Sequence, residues 1–185
     1  MSYLDFYRGK RVLVTGGTGS IGSVIVHQLL DAGADVITLS RNELLLHKLD
    51  RSLWERSKYK GQVRFVVGDI RRYQSVLEAM DNCNVVVHTA AMKHVDICED
   101  NVDEAIRTNI DGARNVREAC LSKGVENLVV VSTDKAVDPE GVMGMTKALQ
   151  EKQFLNSVMQ NTAVAIVRFG NVLGTQGSVV WKFKE

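Results

Sequence analysis

The feature that most constrains this chain is an alternation that runs almost from end to end. Short runs rich in β-branched residues are followed by longer stretches with apolar residues at helical spacing. Residues 11–15, 35–39, 63–67, 84–88, 127–132 and 163–168 read as strands. Residues 20–32, 43–54 and 73–80, a long stretch near 99–123 and another near 141–160 read as helices. A strand covered on both faces has no polar side to show, so its sequence is a nearly continuous apolar run. The expected fold class is therefore α/β, a doubly wound, mostly parallel sheet with helices on both faces. The chain has 185 residues, 45% of them hydrophobic, with one proline and no low-complexity linker, so residues 1–185 are expected to form one domain.

Charge and cysteine usage exclude several functions. With 23 basic residues against 22 acidic ones, no global field favours nucleic acid or an anionic membrane, and any anion site must be local. The three cysteines, Cys83, Cys98 and Cys120, are scattered and odd in number, which fits neither a disulfide framework nor a zinc site. No apolar stretch approaches the ~20 residues that span a bilayer. The N-terminus lacks the apolar core of an export signal, so a reduced, cytoplasmic setting without an anchor is expected.

The segment VLVTGGTGSIG closes the first strand and opens the first helix. Its Thr15, Gly16, Gly19, Ser20, Ile21 and Gly22 have the spacing of a loop in which a pyrophosphate meets bare backbone N–H groups at a helix N-terminus. At the first strand-to-helix turn of an alternating chain, this is the signature of a dinucleotide-binding Rossmann fold. The second strand ends ITLSRNE, placing Ser40, Arg41 and Asn42 where an acidic residue would grip the ribose of NAD. Arg41 suits a 2′-phosphate instead, so NADP is expected, with NAD possible. In the turn GDI, Asp69 and Ile70 are placed to meet adenine, and Asp69 either accepts from the adenine amino group or caps the next helix. Ala90 and Ala91, in HTAAMKH, leave room for the cofactor ribose.

TGGTGSIG, SRNE, GDI, HTAAMKHV, TNIDGARNV, STDKAVDP, VMGMTK and RFGNVLGTQGSVV follow one another along nearly the whole chain. In that order and spacing they resemble the extended short-chain dehydrogenases/reductases, most of all the polysaccharide-biosynthesis branch that includes UDP-N-acetylglucosamine 4,6-dehydratases. The resemblance implies a lyase acting on a nucleotide-sugar substrate. In such enzymes a nicotinamide takes a hydride from C4 of the sugar, C5 loses a proton, the C6 hydroxyl leaves as water and the hydride returns to C6.

On that resemblance, Thr133 would bond the C4 oxygen, Asp134 would be the acid at C6 and Lys135 the base at C5. Lys147 would hold the nicotinamide ribose. The family's tyrosine, four residues before that lysine, is Met143 here. A thioether has no ionisable proton, so its acid-base work must pass to another group, Asp134 or Lys135 being the nearest candidates, and Met143 itself is read as packing against nicotinamide or sugar. Asn109 would join the cofactor side of the site by kinking its helix toward the active-site lysine, unless it bonds its own backbone. Lys93 is a candidate for cofactor and substrate contact, and His94 and Asn171 for substrate contact. Arg168 is either part of that substrate end or a packed strand-end residue. Asp96 stands where the family often has proline.

Relatives of this kind continue for roughly another small domain that supplies most of the nucleotide-sugar pocket. Largely without that lobe, Val179, Val180, Trp181 and Phe183 are expected to be exposed and to favour a homo-oligomer. Two other functions remain open: a catalytically inactive NADP-binding module, and a nucleotide-sugar epimerase using the same ketone.

Overall fold

The computed structural model describes residues 3–54, 59–156, 159 and 161–172. After a short helix α1 (Tyr3–Tyr7), strand and helix alternate: β1 (Arg11–Thr15), α2 (Ser20–Asp31), β2 (Asp35–Ser40), α3 (Glu43–Trp54), β3 (Val63–Val67), α4 (Tyr73–Ala79) and β4 (Val85–His88). Helices α5 (Val95–Asp100), α6 (Val102–Ile106) and α7 (Gly112–Lys123) lead to β5 (Asn127–Thr133), α8 (Val142–Leu155) and β6 (Ala163–Phe169). All neighbouring strands pair in parallel, in the order β3-β2-β1-β4-β5-β6. This is the Rossmann topology expected from the alternation.

Side chains of a strand point alternately to its two faces, and the core divides accordingly. Leu13, Ile37, Leu39, Val86, Leu128 and Val130 pack on one face with Val76 of α4, Val116 of α7 and Phe154 of α8. Val12, Val14, Val36, Val85 and Val87 pack on the other with Val26 and Leu30 of α2 and Leu49 of α3. Burying each such side chain contributes about 1.5–3 kcal/mol. The near-continuous apolar runs of β1 and β4 are thus explained by two-sided burial at the middle of the sheet.

The helical stretch near 99–123 is not one helix. It breaks at Asn101, whose φ of −133° and ψ of 58° leave the helical region. A π-helical turn, Arg107–Asp111, then separates α6 from α7. The wider turn carries Asn109, which is fully buried. Its side chain does not bond its own helix: Oδ1 accepts from the Met92 backbone N–H at 2.8 Å, and Nδ2 donates to the Met92 carbonyl and to Thr146 Oγ1, each at 3.0 Å. Asn109 therefore ties the segment after β4 to α8. The sequence pattern also ran α8 too far, since it ends at Leu155, and Val179, Val180, Trp181 and Phe183 lie outside the described residues.

Asn109→Ala removes three hydrogen bonds and strands both polar groups of Met92. It is expected to destabilise the fold by about 2–4 kcal/mol, read as a lower urea midpoint at unchanged m.

Candidate functional site

The strand order reverses between β1 and β4, and the connections leaving their carboxyl ends diverge there. A cavity of about 810 Å³ opens at that place, lined by the loop after β1, the ends of β2, β4 and β5, and one face of α8. Gly16 has φ of 71°, and a Cβ on it would stand 2.7 Å from the Ala90 backbone nitrogen. A Cβ on Gly22 would stand 2.3 Å from the Gly16 carbonyl oxygen. Only glycine lets the loop close this tightly, and it delivers the N-terminus of α2 to the cavity without a side-chain cap. Thr18, which sequence reasoning did not single out, bonds Ser40 across the loop at 3.0 Å.

At the end of β2, Arg41 lines the cavity and is half exposed. Its guanidinium approaches Asp69 only to 4.0 Å, because Asp69 is engaged by Arg71. Asp69 accepts from the Arg71 backbone at 2.9 Å and from its guanidinium at 2.8 and 2.6 Å. Burial pushes the Asp69 carboxyl up, but the Arg71 bonds and the charges of Arg71 and Arg41 outweigh it and hold the group below its usual range. Asp69 does not cap α4, whose N-cap is Arg72. It closes the preceding turn and sits behind the cavity wall, while Ile70 lines it.

Helix α8 carries an unusual buried stripe: Met143, Thr146, Lys147, Gln150 and Glu151. These positions recur at three- and four-residue spacing and face the body of the protein together. A Cβ on Gly144 would stand 2.3 Å from the Lys135 carbonyl oxygen, so α8 rests directly on the turn after β5. Lys147 is 5% exposed. Its Nζ donates to the Val131 carbonyl at 2.7 Å and to Gln150 Oε1. Burial pushes Lys147 down to about 8, against the opposing pull of Glu151. Glu151, also buried, accepts from Arg168 Nε at 2.9 Å and Nη2 at 2.6 Å. Arg168 is thus a strand-end clamp between β6 and α8.

At the end of β5, Thr133, Asp134, Lys135 and Asn171 form one hydrogen-bonded cluster. Thr133 Oγ1 donates to Asp134 Oδ1 at 3.0 Å, and Lys135 Nζ reaches Asp134 Oδ1 at 3.2 Å and Asn171 Oδ1 at 3.1 Å. Bonds from Lys135 and Thr133 hold the exposed Asp134 carboxyl below its usual range.

The structure thus brings together at one cavity Gly16, Gly19, Ser20, Ile21, Gly22, Ser40, Arg41, Asn42 and Ile70 of the nucleotide end. Ala90, Ala91, Lys93, His94, Thr133, Lys135, Met143, Lys147 and Asn171 line its other parts. Thr15, Asp69, Asn109 and Asp134 do not line it. Thr15 is buried beneath the loop, where its hydroxyl bonds His88 Nδ1 at 2.7 Å. His88, Gln150, Glu151 and Thr146 were missed by sequence reasoning. The available signal was polarity at positions that the strand and helix periods bury.

A family model described as polysaccharide biosynthesis protein matches residues 12–185. An uncharacterized membrane protein of Methanocaldococcus jannaschii is 41% identical over 98% of this chain and 54% of its own length. The inverting UDP-N-acetylglucosamine 4,6-dehydratase of Campylobacter jejuni is 39% identical over 97% of this chain and 54% of its own. A UDP-glucose 4-epimerase of Rickettsia canadensis is 38% identical over 92% and 51%. Among solved structures, Pen from Bacillus thuringiensis superposes with a TM-score of 0.91 at 37% identity, over 97% of this chain and 57% of that one. The UDP-glucose 4-epimerase of Thermus thermophilus, solved in complex with NAD, gives 0.73 at 28% identity over 89% and 56%. The chain therefore spans about half the length of the curated relatives it matches. Among the described residues, no helix is long and apolar enough to cross a membrane.

His88 gives the site a pH signature. Burial pushes its imidazole down to about 3 from an ordinary 6.5, and the Lys147 charge adds to the effect. The unfolded chain takes up a proton that the folded state refuses, so the stability present above pH 6.5 is lost as pH falls toward about 3. The loss should approach 1.4 kcal/mol per pH unit inside that window. In denaturation series at several pH values, His88→Gln is expected to flatten this slope.

Proposed function

The chain belongs to the polysaccharide biosynthesis protein family, a branch of the extended short-chain dehydrogenases/reductases, and from that membership we propose that it is the cofactor-binding and catalytic-loop part of a nucleotide-sugar 4,6-dehydratase. The substrate proposed is UDP-N-acetylglucosamine or a close analogue. The observation that carries this reading is the Thr133, Asp134, Lys135 and Asn171 cluster, held at the end of β5 beside the glycine loop's cavity. In the proposed whole enzyme, the family's substrate lobe lies in the half of the relatives that this chain does not span.

A nicotinamide dinucleotide fits the residues present. The glycine cradle, which a Cβ at Gly16 or Gly22 would fill, and the uncapped start of α2 suit a pyrophosphate. Ser40, Arg41 and Asn42 would hold the adenosine ribose, Ile70 the adenine, and Ala90, Ala91 and Lys93 the nicotinamide end. Arg41, with Asp69 turned toward Arg71, offers its guanidinium to a 2′-phosphate, and NADP is the proposed cofactor. The relative solved with NAD keeps NAD as its alternative. When bound, the nicotinamide supplies reversible hydride transfer, from C4 of the sugar and back to C6.

The chain's own residues move the protons. Thr133 bonds the C4 oxygen. Lys135 removes the C5 proton that the neighbouring ketone has acidified. Asp134 is held ionised, so the proton it gives the departing C6 hydroxyl must reach it first. Lys135, 3.2 Å away, is the group that hands it over. His94 and Asn171 contact the sugar or its diphosphate. Thr15, Asp69 and Asn109 support this arrangement from behind the cavity wall.

A 4-epimerase is the second reading, favoured by the 38% identity to the Rickettsia canadensis enzyme. It would share the C4 ketone. Self-association belongs to both readings, because α5, α6 and α8 leave Ile97, Val102, Met145 and Leu149 exposed as apolar surface that a second copy would cover.

Incubation with UDP-N-acetylglucosamine and NADP is expected to yield a C6 methyl signal by NMR, and Lys135→Ala to abolish solvent-deuterium entry at C5. Tight NADP binding with no product would leave an inactive module; an epimerised product without the methyl would leave the epimerase. Arg41→Ala is expected to weaken NADP binding ~10-fold, about 1.4 kcal/mol, while sparing NAD in the same calorimetric titration; equal losses for both would remove Arg41 from the 2′-phosphate.

A further inference from the structure

Oxidising a C4 alcohol releases a hydride and a proton, and Met143 cannot take the proton. Asp134 is a weak base, since its carboxyl is held below its usual range, and Lys135 is committed to C5. His88 is buried behind the cavity. Lys147 remains. It lines the same cavity as Met143, from the same face of α8 and one turn further along.

The surroundings of Lys147 suit a free amine. Its Nζ has two acceptors, the Val131 carbonyl and Gln150 Oε1. A neutral amine has two hydrogens, satisfies both acceptors and keeps its lone pair for a third direction. The charged groups around it do little to hold it protonated. Glu151, on α8, pulls the other way, but its carboxylate is shared with Arg168 of β6, from which it accepts two bonds. His88, on β4, is kept uncharged by burial. At the end of β5 it meets a backbone carbonyl rather than a carboxylate.

We propose that Lys147, as the free amine, is the general base that takes the proton of the substrate C4 hydroxyl in place of the absent phenol. The inference rests on the C4 oxidation proposed above. The O–H bond breaks and an N–H bond forms on Lys147, while the C4–H electron pair leaves as hydride to the oxidised nicotinamide and C4 becomes a carbonyl. Lys147 then releases the proton to solvent, which offsets the one C5 takes back after elimination. Burial that pushes Lys147 down to about 8 keeps an appreciable fraction unprotonated near neutral pH, where a base of matched strength works best.

The direct test is an NMR titration of lysine side chains labelled at Cε, in the full chain, with the Lys147 signal identified by its loss in Lys147→Arg. An inflection near pH 8 is expected, moving lower in Glu151→Gln, which removes the one charge opposing the shift. An inflection in step with the surface lysines overturns the proposal, whether or not the protein turns over substrate. Kinetically, at cofactor concentrations shown by titration to saturate each variant, Lys147→Arg is expected to slow single-turnover cofactor reduction by ~100-fold or more, within the range of general-base effects. The acid limb of the pH profile should move with the NMR inflection in Glu151→Gln. Undiminished reduction in Lys147→Arg would overturn the proposal. Cofactor reduction without a C6 methyl product sinks the dehydratase reading alone and leaves this one standing.

Discussion

Everything in the site depends on how closely the carboxyl ends of β1 and β4 approach each other. A Cβ at Gly16 would stand 2.7 Å from the Ala90 backbone and 2.9 Å from the Thr89 hydroxyl, so the two strand ends meet with no room for a side chain on Gly16. The Thr15 hydroxyl and the His88 ring fill the layer directly beneath. In a doubly wound sheet the connections diverge from this place, and the cavity is the space they leave. Small residues therefore serve two ends at once. They allow the strands to pair, and they leave the wall of the cavity made of backbone.

The second constraint is the seating of α8. Most surface helices bury an apolar stripe, but α8 buries Lys147, Gln150 and Glu151 along with Met143 and Phe154. Buried polar groups are costly unless paired, and three here are paired with other elements: Lys147 with the β5 backbone, Glu151 with Arg168 of β6, and Thr146 with Asn109. These bonds fix the helix in translation and rotation, which apolar packing alone does loosely. Gly144 completes the seating by letting the helix touch the Lys135 turn. The cavity-lining residues of α8 and of the β5 end are thus held as one unit.

The sheet, its order and the glycine loop were legible because each leaves a periodic or positional mark: two-sided burial erases alternation, and a tight turn demands glycine. The breaks at Asn101 and at the π-helical turn left no such mark. Apolar spacing continues through them, and only tertiary bonds from Asn109 to Met92 and Thr146 select the wider turn. Asp69 shows the same limit. Asp before a helix reads as a cap, yet Arg71, two residues on, claims both of its oxygens, one through its backbone N–H and the other through its guanidinium. His88 and Glu151 were passed over because a polar residue inside an apolar period looks like a sequence irregularity until its partner is known. Their partners, Thr15 and Arg168, are 73 and 17 residues away.

Met143 acquires its meaning from this pattern of pairing. A lysine beside a tyrosine serves best charged, because its charge stabilises the phenolate. With methionine in that place, a charge on Lys147 would have no phenolate to stabilise and a full desolvation cost to bear. The surroundings are arranged accordingly: neutral acceptors around the amine, Glu151 turned to Arg168, and a cavity wall that keeps water from all but 5% of the residue. On the proposal that Lys147 is the base, the methionine and the lowered lysine are physically one adjustment. An environment that kept Lys147 fully charged beside a thioether would have to hold an ammonium in a low-dielectric site whose opposing charge, Glu151, is already bonded twice by Arg168.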